Sequence, residues 1–253
     1  MKDIDKKTTV IVVTSGKGGV GKTILTLNLA GIYEKLGKKV LLLDFDFTGG
    51  NLALNMNLTP QKSIFNIYED LVNNKFTDCK SYITKYSSFI DVVASPKDPR
   101  QARKIEIEYI ESIINIFKQD YDVVLIDTQH GLHGTNIVAL DAADVILYTI
   151  TNSLMDLKNT KAFMQVLDDV DYLDKVKVVL NNSARPELNY FSVYDMKNLI
   201  KHNIDYTVSS NLYIRNFTKY VVEGKIFTLN KNLIFKDKKD LNKLNNMAKD
   251  LIK

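Results

Sequence analysis

The chain of 253 residues is 45% hydrophobic and 25% charged, a composition typical of a globular protein large enough to bury a full core. It shows neither the apolar stretch of a signal peptide nor a run that would span a membrane, and its single cysteine, Cys79, excludes an internal disulfide and a multi-cysteine metal site, so we expect a cytoplasmic protein. The net charge of +4 is concentrated in residues 231–253, which hold seven lysines and three aspartates.

Predicted strands and helices alternate along the chain. TTVIVVTS (8–15) is a β-branched run typical of a strand buried on both faces of a parallel sheet. A helical pattern follows over 23–36 and ends at Gly37. Further strands are predicted at 38–44, 89–95, 121–127, 144–150, 176–181 and 204–208. Further helices are predicted at 61–73, 101–118, 154–169, 190–201, 211–222 and 239–252.

This alternation predicts the fold class. Strands that take turns with helices form right-handed βαβ crossovers, which give a doubly wound, mostly parallel sheet with helices on both faces. No linker, repeat or low-complexity tract interrupts the pattern. We therefore expect a single α/β domain over residues 1–253.

The segment between the first strand and the first helix carries the strongest motif. TSGKGGVGKT (14–23) contains four of the 11 glycines and fits the P-loop pattern G-x-x-x-x-G-K-[ST]. Glycines let such a loop curl so that successive N–H groups point at phosphate oxygens, and the helix N-terminus adds positive potential. The predicted nucleotide contacts in this loop are Gly16, Lys17, Gly18, Gly19, Val20, Gly21, Lys22, Thr23 and Ile24. Lys22 is expected to reach the β- and γ-phosphates, and the Thr23 hydroxyl to bind Mg²⁺.

Aspartates end two of the predicted strands. YDVVLID ends in Asp127, and VLLLDFD ends in Asp44 and Asp46. Mg²⁺ takes hard oxygen ligands, and P-loop enzymes place an aspartate at the end of a neighbouring strand to supply one. We predict a metal site of Thr23, Asp46 and Asp127, in which Asp46 also orients the attacking water and Asp44 supports it from behind.

A second lysine in the loop points to a particular family. Only four arginines occur in the chain, so few candidates exist for an arginine that stabilises phosphoryl transfer from another subunit. Lys17 lies early in the loop instead, and K-G-G-x-G-K-[ST] resembles the deviant Walker A signature of the MinD/ParA family of ATPases. The resemblance implies a homodimer that sandwiches ATP, with Lys17 crossing to the partner's phosphates. It also implies ATP and Mg²⁺ as cofactors and Lys17, Lys22 and Asp46 as the catalytic residues.

Longer stretches are similar to one branch of this family. Residues 44–71, 92–102 and 121–147 resemble the CpaE/TadZ branch, the ATPases of Flp/Tad pilus assembly and polar localisation. A histidine-glycine pair often follows the metal-binding aspartate there, as it does at His130. Only about eight residues precede the first strand, whereas that branch commonly has an N-terminal receiver-like domain. Division-site MinD and the flagellar-number ATPase FlhG therefore stay open as alternatives.

The resemblance also implies an adenine site. VVLNNSARPE (178–187) is similar to the family's adenine-binding stretch, in which Asn181 would hydrogen-bond the base with Arg185 nearby. An asparagine amide matches the donor–acceptor edge of adenine. Asn182 would take this place if the strand register is shifted by one residue.

The H-x-x-H spacing of His130 and His133 would suit a metal pair. The same stretch contains two glycines and lies beside the γ-phosphate position, which favours a mobile switch loop.

The C-terminal segment 238–253 is basic and amphipathic. Such a helix would lie on an anionic membrane or pack on the sheet as the last helix of the domain, and we expect packing. The lysines here also leave nonspecific DNA binding open, through Lys231, Lys236, Lys238 and Lys239.

Taken with the resemblance, these features predict an ATPase that switches between monomer and dimer and positions a pilus, flagellar or division machine. Its expected location is cytoplasmic, with peripheral placement at the inner face of the membrane or at a cell pole. Two other functions stay open: a scaffold that holds ATP with negligible turnover, and a DNA-bound ParA-like segregation ATPase.

Overall fold

The computed structural model describes residues 8–182, 189–209, 217–230 and 238–253. Its strands are β1 (Thr9–Thr14), β2 (Val40–Phe45), β3 (Thr84–Lys85), β4 (Ile90–Val93), β5 (Val123–Thr128), β6 (Val145–Ile150), β7 (Val176–Asn182) and β8 (Tyr206–Ser209). Its α-helices are α1 (Lys22–Lys35), α2 (Leu52–Asn55), α3 (Ile64–Val72), α4 (Pro99–Ala102), α5 (Ile110–Phe117), α6 (Gly134–Asp141), α7 (Leu154–Asp169), α8 (Val193–Ile200), α9 (Phe217–Glu223) and α10 (Lys238–Asp250).

The strands form one eight-stranded sheet in the order β3-β4-β2-β5-β1-β6-β7-β8. Every neighbouring pair is parallel except β3 and β4. The predicted α/β class and mostly parallel sheet are confirmed. Strand β1 lies between β5 and β6. The segment that follows β1 therefore leaves the sheet at its carboxyl edge, with the ends of β5 and β6 on either side. Ligands of open α/β sheets bind at such an edge.

Helices cover both faces of the sheet, as predicted. Side chains alternate along β1, so that Val10 and Val12 join one apolar cluster while Ile11 and Val13 join the other. The first cluster includes α5 and α7, and the second includes α1 and α10. This double burial is the physical reason that the central strands read as continuous apolar runs.

The predicted helix at 101–118 is wrong in detail. The structure has the short helix α4, a one-turn 3-10 helix over Ile107–Tyr109, and then α5. Glu106 is extended at φ −75° and ψ 138°, which interrupts the helix. Ile105 is buried in the core next to this break, whereas Ile107 is exposed. Burial of Ile105 in the core therefore outweighs the helix propensity of the segment, and the helix is interrupted there.

Helix α6 lies between two strands that the sequence analysis left without a helix between them. Parallel strands need a crossover, and α6 provides it between β5 and β6. The segment lacks a clear apolar period because a polar residue, Asn136, is fully buried in it. Helix α2 and strand β3 are likewise additions to the prediction, each too short for a sequence signal.

The C-terminal helix packs against the protein. Its apolar residues are buried and join the same cluster as α1: Leu241, Leu244, Met247, Ala248 and Leu251. The protein therefore covers this apolar face, which is not available to contact a membrane surface in this structure. Within the described ranges, no helix is long and apolar enough to cross a membrane. Part of the predicted helix at 211–222 and two of the lysines considered for DNA binding, Lys231 and Lys236, lie outside the described residues.

Candidate nucleotide-binding site

The P-loop joins the end of β1 to the start of α1. Gly19 and Gly21 have positive φ angles of 75° and 100°, a conformation that favours glycine. Gly21 is the N-cap of α1, and a Cβ there would lie 2.7 Å from the side-chain nitrogen of Asn181. The Ser15 hydroxyl donates to the carbonyl of Lys17 over 2.8 Å and closes the loop. The result is a backbone concavity at a helix N-terminus, which suits phosphate.

The two lysines of the loop differ in their surroundings. Lys22 is 9% exposed, and its Nζ donates to Ser15 Oγ over 3.2 Å. Burial lowers the pKa of Lys22. Three carboxylates oppose that shift: Asp127, Asp46 and Asp156. Lys17 is exposed. One lysine is therefore held inside the loop and the other is exposed, and the different roles expected of them stay predictions.

Thr23 and Asp127 meet across the first turn of α1 and the end of β5. Thr23 Oγ1 donates to Asp127 Oδ2 over 2.6 Å, and Asp127 Oδ1 is buried with no hydrogen-bond partner. Burial raises the pKa of Asp127 to about 7, against the hydrogen bond from Thr23 and the charge of Lys22. A hydroxyl beside a carboxylate with a spare buried oxygen fits a hard divalent cation.

The donor set also fits the kind of metal. The described residues contain no group of three or more His, Cys, Asp or Glu side chains that could hold a metal. Mg²⁺ needs no such cage, because it is held by one or two carboxylates together with phosphates and water. Within the described chain, His130 and His133 are not part of any such group of three.

Asp44 and Asp46 hold the chain that leaves β2. Asp44 is 1% exposed and accepts hydrogen bonds from the N–H groups of Leu52 (3.1 Å) and Asp46 (3.2 Å). Burial raises its pKa well above the ordinary value, and Asp127, its register partner on β5, adds to the shift. Asp44 thus supports the turn before α2. A Cβ at Gly50 would lie 2.8 Å from its Oδ2, so this approach needs glycine.

Asp46 is half-buried and acts on the next turn. Its Oδ1 accepts from Thr48 N (3.3 Å), Thr48 Oγ1 (3.0 Å) and Gly49 N (2.9 Å). Its other oxygen takes part in none of these bonds, and its charge opposes the burial shift of Lys22. The role of Asp46 in orienting water stays a prediction. The structure adds that this carboxylate also shapes its own loop.

The loop after Asp127 lies against the P-loop. Gly131 N donates to Ser15 O over 2.8 Å, and Asn136 Nδ2 donates to the carbonyls of Gln129 (3.0 Å) and Gly131 (2.7 Å). The Thr48 hydroxyl lies 3.3 Å from Gln129 Oε1, which joins this loop to the turn after β2. The loop after β5 is therefore hydrogen-bonded both to the P-loop and to the turn after β2.

His130 lies close to the P-loop. Its Nδ1 is 3.6 Å from the position that a Cβ on Gly18 would occupy.

Helix α7 supports the P-loop through residues that the sequence analysis missed. Asn159 Nδ2 donates to Gly16 O over 3.3 Å. Asp156 is fully buried and accepts from Thr151 N (2.6 Å) and Thr151 Oγ1 (2.7 Å). Burial raises the pKa of Asp156, and the Thr151 bonds and then the charges of both loop lysines oppose the shift. No motif marks these positions, since their relation to the loop exists only in the folded sheet.

The predicted adenine contacts are only partly described. Asn181 lies beside the P-loop, where its Nδ2 donates to Val20 O over 2.8 Å and its Oδ1 is buried without a partner. Asn181 therefore braces the loop, and its unpaired oxygen is left for a base. Arg185 lies outside the described residues. Ile24 is half-buried and packs against the apolar cluster of α1. The adenine contacts of Asn181 and Arg185 stay predictions, and so does the nucleotide contact of Ile24.

A P-loop after the first strand, on a mostly parallel sheet with an aspartate at the end of a neighbouring strand, defines a P-loop nucleotide-binding protein. Residues 8–180, more than half of the chain, match the family model described as AAA domain. The septum site-determining protein MinD of Helicobacter pylori is 30% identical over 190 residues, which cover 71% of this chain and 68% of that protein. The chain belongs to the MinD/ParA family of P-loop ATPases.

Solved structures agree with this fold. A ParA family ATPase from Chlorobium tepidum TLS has a TM-score of 0.81 at 16% identity, with 96% of this chain and 98% of that chain covered. MinD from Pyrococcus horikoshii OT3, complexed with Mg-ADP, has a TM-score of 0.77 at 21% identity and 96% coverage of both chains. Among the sequence relatives, the aligned region spans 55% of one ATP-binding protein and 72% of one MinD.

Proposed function

We propose that this protein is an ATP-dependent dimerisation switch that hydrolyses ATP to ADP and phosphate. The observation that carries the proposal is the contrast between Lys22, held inside the P-loop, and Lys17, exposed on the same loop. Two cations on one small loop repel each other, and the outward one gains most by meeting phosphates that its own loop does not hold. A second copy of the chain, with its own nucleotide, presents such phosphates.

The site supports ATP hydrolysis through residues with separate tasks. The P-loop amides and Lys22 would hold the β- and γ-phosphates, and Thr23 with Asp127 would hold Mg²⁺. Mg²⁺ held there would neutralise negative charge on the phosphates during the transfer. Asp46 would orient a water whose oxygen bonds to the γ-phosphorus as the bond to the bridging oxygen breaks. The proton of that water leaves with the phosphate product. The Mg-ADP bound to the MinD of similar fold supports this choice of ligand.

The machine that such a switch positions is proposed from resemblance. Residues 44–71 and 121–147 favour pilus assembly and polar localisation of the CpaE/TadZ kind. The relationship to a septum site-determining protein favours division-site placement as the second candidate. The two proposals differ in where a fluorescent fusion would accumulate in the cell: at one pole with the pilus base, or along the membrane around the division site.

A measurement of molar mass and turnover tests the switch. Light scattering on purified protein with ATP, ADP or no nucleotide is expected to show a dimer with ATP alone, and phosphate release is expected to be slow. Repeating both measurements with duplex DNA and with phosphatidylglycerol vesicles identifies an activator of either kind. An ATP dimer without measurable phosphate release would indicate a scaffold. A monomer under all conditions would contradict the proposal.

A further inference from the structure

The side chain of His130, in the loop after β5, lies beside the P-loop. Its Nδ1 and Cε1 are 3.6 Å and 3.7 Å from the position that a Cβ on Gly18 would occupy. Apart from Gly18 and its two chain neighbours, no other described atom comes within 4 Å of that position. The imidazole therefore borders the space next to Gly18, inside the phosphate-binding motif.

The backbone on both sides of His130 is fixed by hydrogen bonds. Gly131 N donates to Ser15 O over 2.8 Å, which ties this loop to the P-loop. The buried Asn136 donates from Nδ2 to the carbonyls of Gln129 and Gly131, the two chain neighbours of His130. Only the two side-chain torsions of His130 are left to be ordered by a ligand, so binding through its ring costs little conformational entropy.

The ring nitrogens of His130 have no partner in the described part of the chain. The side chain is exposed and forms no hydrogen bond or ion pair with any described residue. In contrast, His202 Nδ1 lies 2.9 Å from Asn203 O. A histidine carries at least one ring N–H in either protonation state. His130 therefore offers a hydrogen-bond donor next to the phosphate-binding loop.

The position of His130 indicates which part of a nucleotide it would meet. It follows Asp127 by three residues, and the Mg²⁺ expected at Asp127 bridges the β- and γ-phosphates in P-loop enzymes. The preceding residue, Gln129, lies 3.3 Å from the Thr48 hydroxyl, which in turn donates to Asp46. His130 thus lies between the P-loop and the turn to which we assign the attacking water, and the γ-phosphate is the group expected between them.

We propose that His130 donates a hydrogen bond from its imidazole to the γ-phosphate of ATP held by the same chain, and that this contact favours ATP over ADP. The inference rests on the proposed function, because it requires a nucleotide at the P-loop. A hydrogen bond to a charged phosphate oxygen is stronger than one between neutral groups. ADP lacks this acceptor, so the contact strengthens the binding of ATP alone.

NMR tests the contact directly, because the chain has only three histidines. Their imidazole Cε1–H signals are assigned with His130→Gln, His133→Gln and His202→Gln. In the presence of Mg²⁺, the nonhydrolysable analogue AMP-PNP is expected to shift the His130 signal, whereas ADP leaves it near its nucleotide-free position. The His202 signal serves as the internal reference. Equal shifts of the His130 signal with both nucleotides, or none with either, would overturn the proposal.

Calorimetry measures how much the contact contributes to binding. His130→Ala is expected to weaken AMP-PNP binding roughly tenfold and to change ADP binding less than about twofold, as for loss of a hydrogen bond to a charged group. His130→Gln keeps an N–H donor and is expected to recover part of the loss. The matched control is His133→Ala, an exposed histidine of the same segment, which is expected to keep the wild-type ratio of the two affinities.

An unchanged affinity ratio in His130→Ala would overturn the role of His130, whereas wild-type protein that binds neither nucleotide would contradict the nucleotide site itself. Both measurements are repeated in Lys17→Ala, in which light scattering is expected to show a monomer. A His130 shift and an affinity ratio that persist in this monomer support a contact within one chain. Loss of both in the monomer would assign the effect to the dimer contact and overturn the proposal.

Discussion

Thr23 Oγ1 donates to Asp127 Oδ2 over 2.6 Å, and this bond joins the first turn of α1 to the end of β5. The other oxygen of Asp127 is buried and unpaired, so half of the carboxylate is satisfied by the protein and half is left for a ligand. A buried anion with one free oxygen is costly. The site is therefore expected to be less stable without a cation than with one.

The first prediction concerns the pH dependence of stability. The pKa of Asp127 is raised to about 7 in the folded protein, so the folded state holds this proton more tightly than the unfolded chain. Between the ordinary aspartate pKa and about 7, stability falls as pH rises. Without Mg²⁺ and nucleotide, Asp127→Asn should stabilise the protein at pH 8 by on the order of a few kcal/mol.

Urea unfolding at pH 5 and pH 8 measures this effect, and the gain from Asp127→Asn should shrink at the lower pH. Asn keeps an oxygen that accepts from Thr23, so the main change is the charge. Asp141→Asn, at the exposed end of α6, serves as the control. A gain of equal size at both pH values would show that ionisation of Asp127 is not the cause.

The second prediction concerns the loop after β5. Asn136 is fully buried and donates to the carbonyls of Gln129 and Gly131. Asn136→Ala leaves two carbonyls without their donor and should lower the free energy of unfolding by about 1–3 kcal/mol. Urea denaturation measures the loss, with the exposed Asn115→Ala as the control. Indistinguishable midpoints for the two variants would remove Asn136 as the support of this loop.

The third prediction concerns the inner lysine. Lys22→Ala should abolish tight ATP binding, because the β- and γ-phosphates lose their cation within the loop. Isothermal calorimetry measures the affinity, and thermal unfolding checks that the variant folds. Lys38→Ala, three residues past the C-terminal end of α1, should bind ATP like the wild type. Wild-type affinity in Lys22→Ala would contradict the nucleotide site.

The fourth prediction separates two roles of Asp46. Asp46→Ala should keep ATP binding and dimerisation but lose hydrolysis, so that a trapped ATP dimer accumulates. The carboxylate also accepts hydrogen bonds from Thr48 and Gly49, so alanine loosens the turn as well. Asp46→Asn keeps an acceptor oxygen for the turn while it removes the charge. Loss of phosphate release in both variants, with the dimer retained by scattering, supports the water role, whereas normal turnover in Asp46→Asn excludes it.

The sequence predicted the elements that local pattern determines. The apolar runs of the central strands and the glycines of the P-loop are local signals, and helix 154–169 was found with its observed bounds. Helix α6 was missed because its buried Asn136 serves loop carbonyls and breaks the apolar period. Asp156 and Asn159 were missed for a different reason. Asn159 reaches Gly16 only when β6 and β1 pair, and Asp156 approaches the loop lysines only in the same folded arrangement, which no spacing along the chain records.

The last prediction concerns Lys17, the exposed lysine of the loop. It lies five positions before Lys22 in the sequence and near enough to Asp156 for its charge to oppose the burial shift of that residue's pKa. Of the two arginines in the described part of the chain, Arg100 is held by Asp98 at 2.6 Å. A lysine that meets the partner subunit's phosphates acts only in the dimer. Lys17→Ala should therefore leave the ATP affinity of the monomer within a few-fold. It should prevent ATP-dependent dimerisation and lower kcat by about 10³-fold, the low end for a cation supplied in trans.

Light scattering and phosphate release on the same samples test Lys17→Ala, with ATP, ADP and no nucleotide. Lys17→Arg keeps the charge and should recover part of the dimer, which a purely structural role would not predict. Calorimetry on dilute protein separates lost dimerisation from lost binding, because Lys22→Ala fails in calorimetry and Lys17→Ala should not. A Lys17→Ala variant that forms the ATP dimer and turns over at the wild-type rate would contradict the sandwich arrangement, and Lys17 would then be an ordinary solvated lysine.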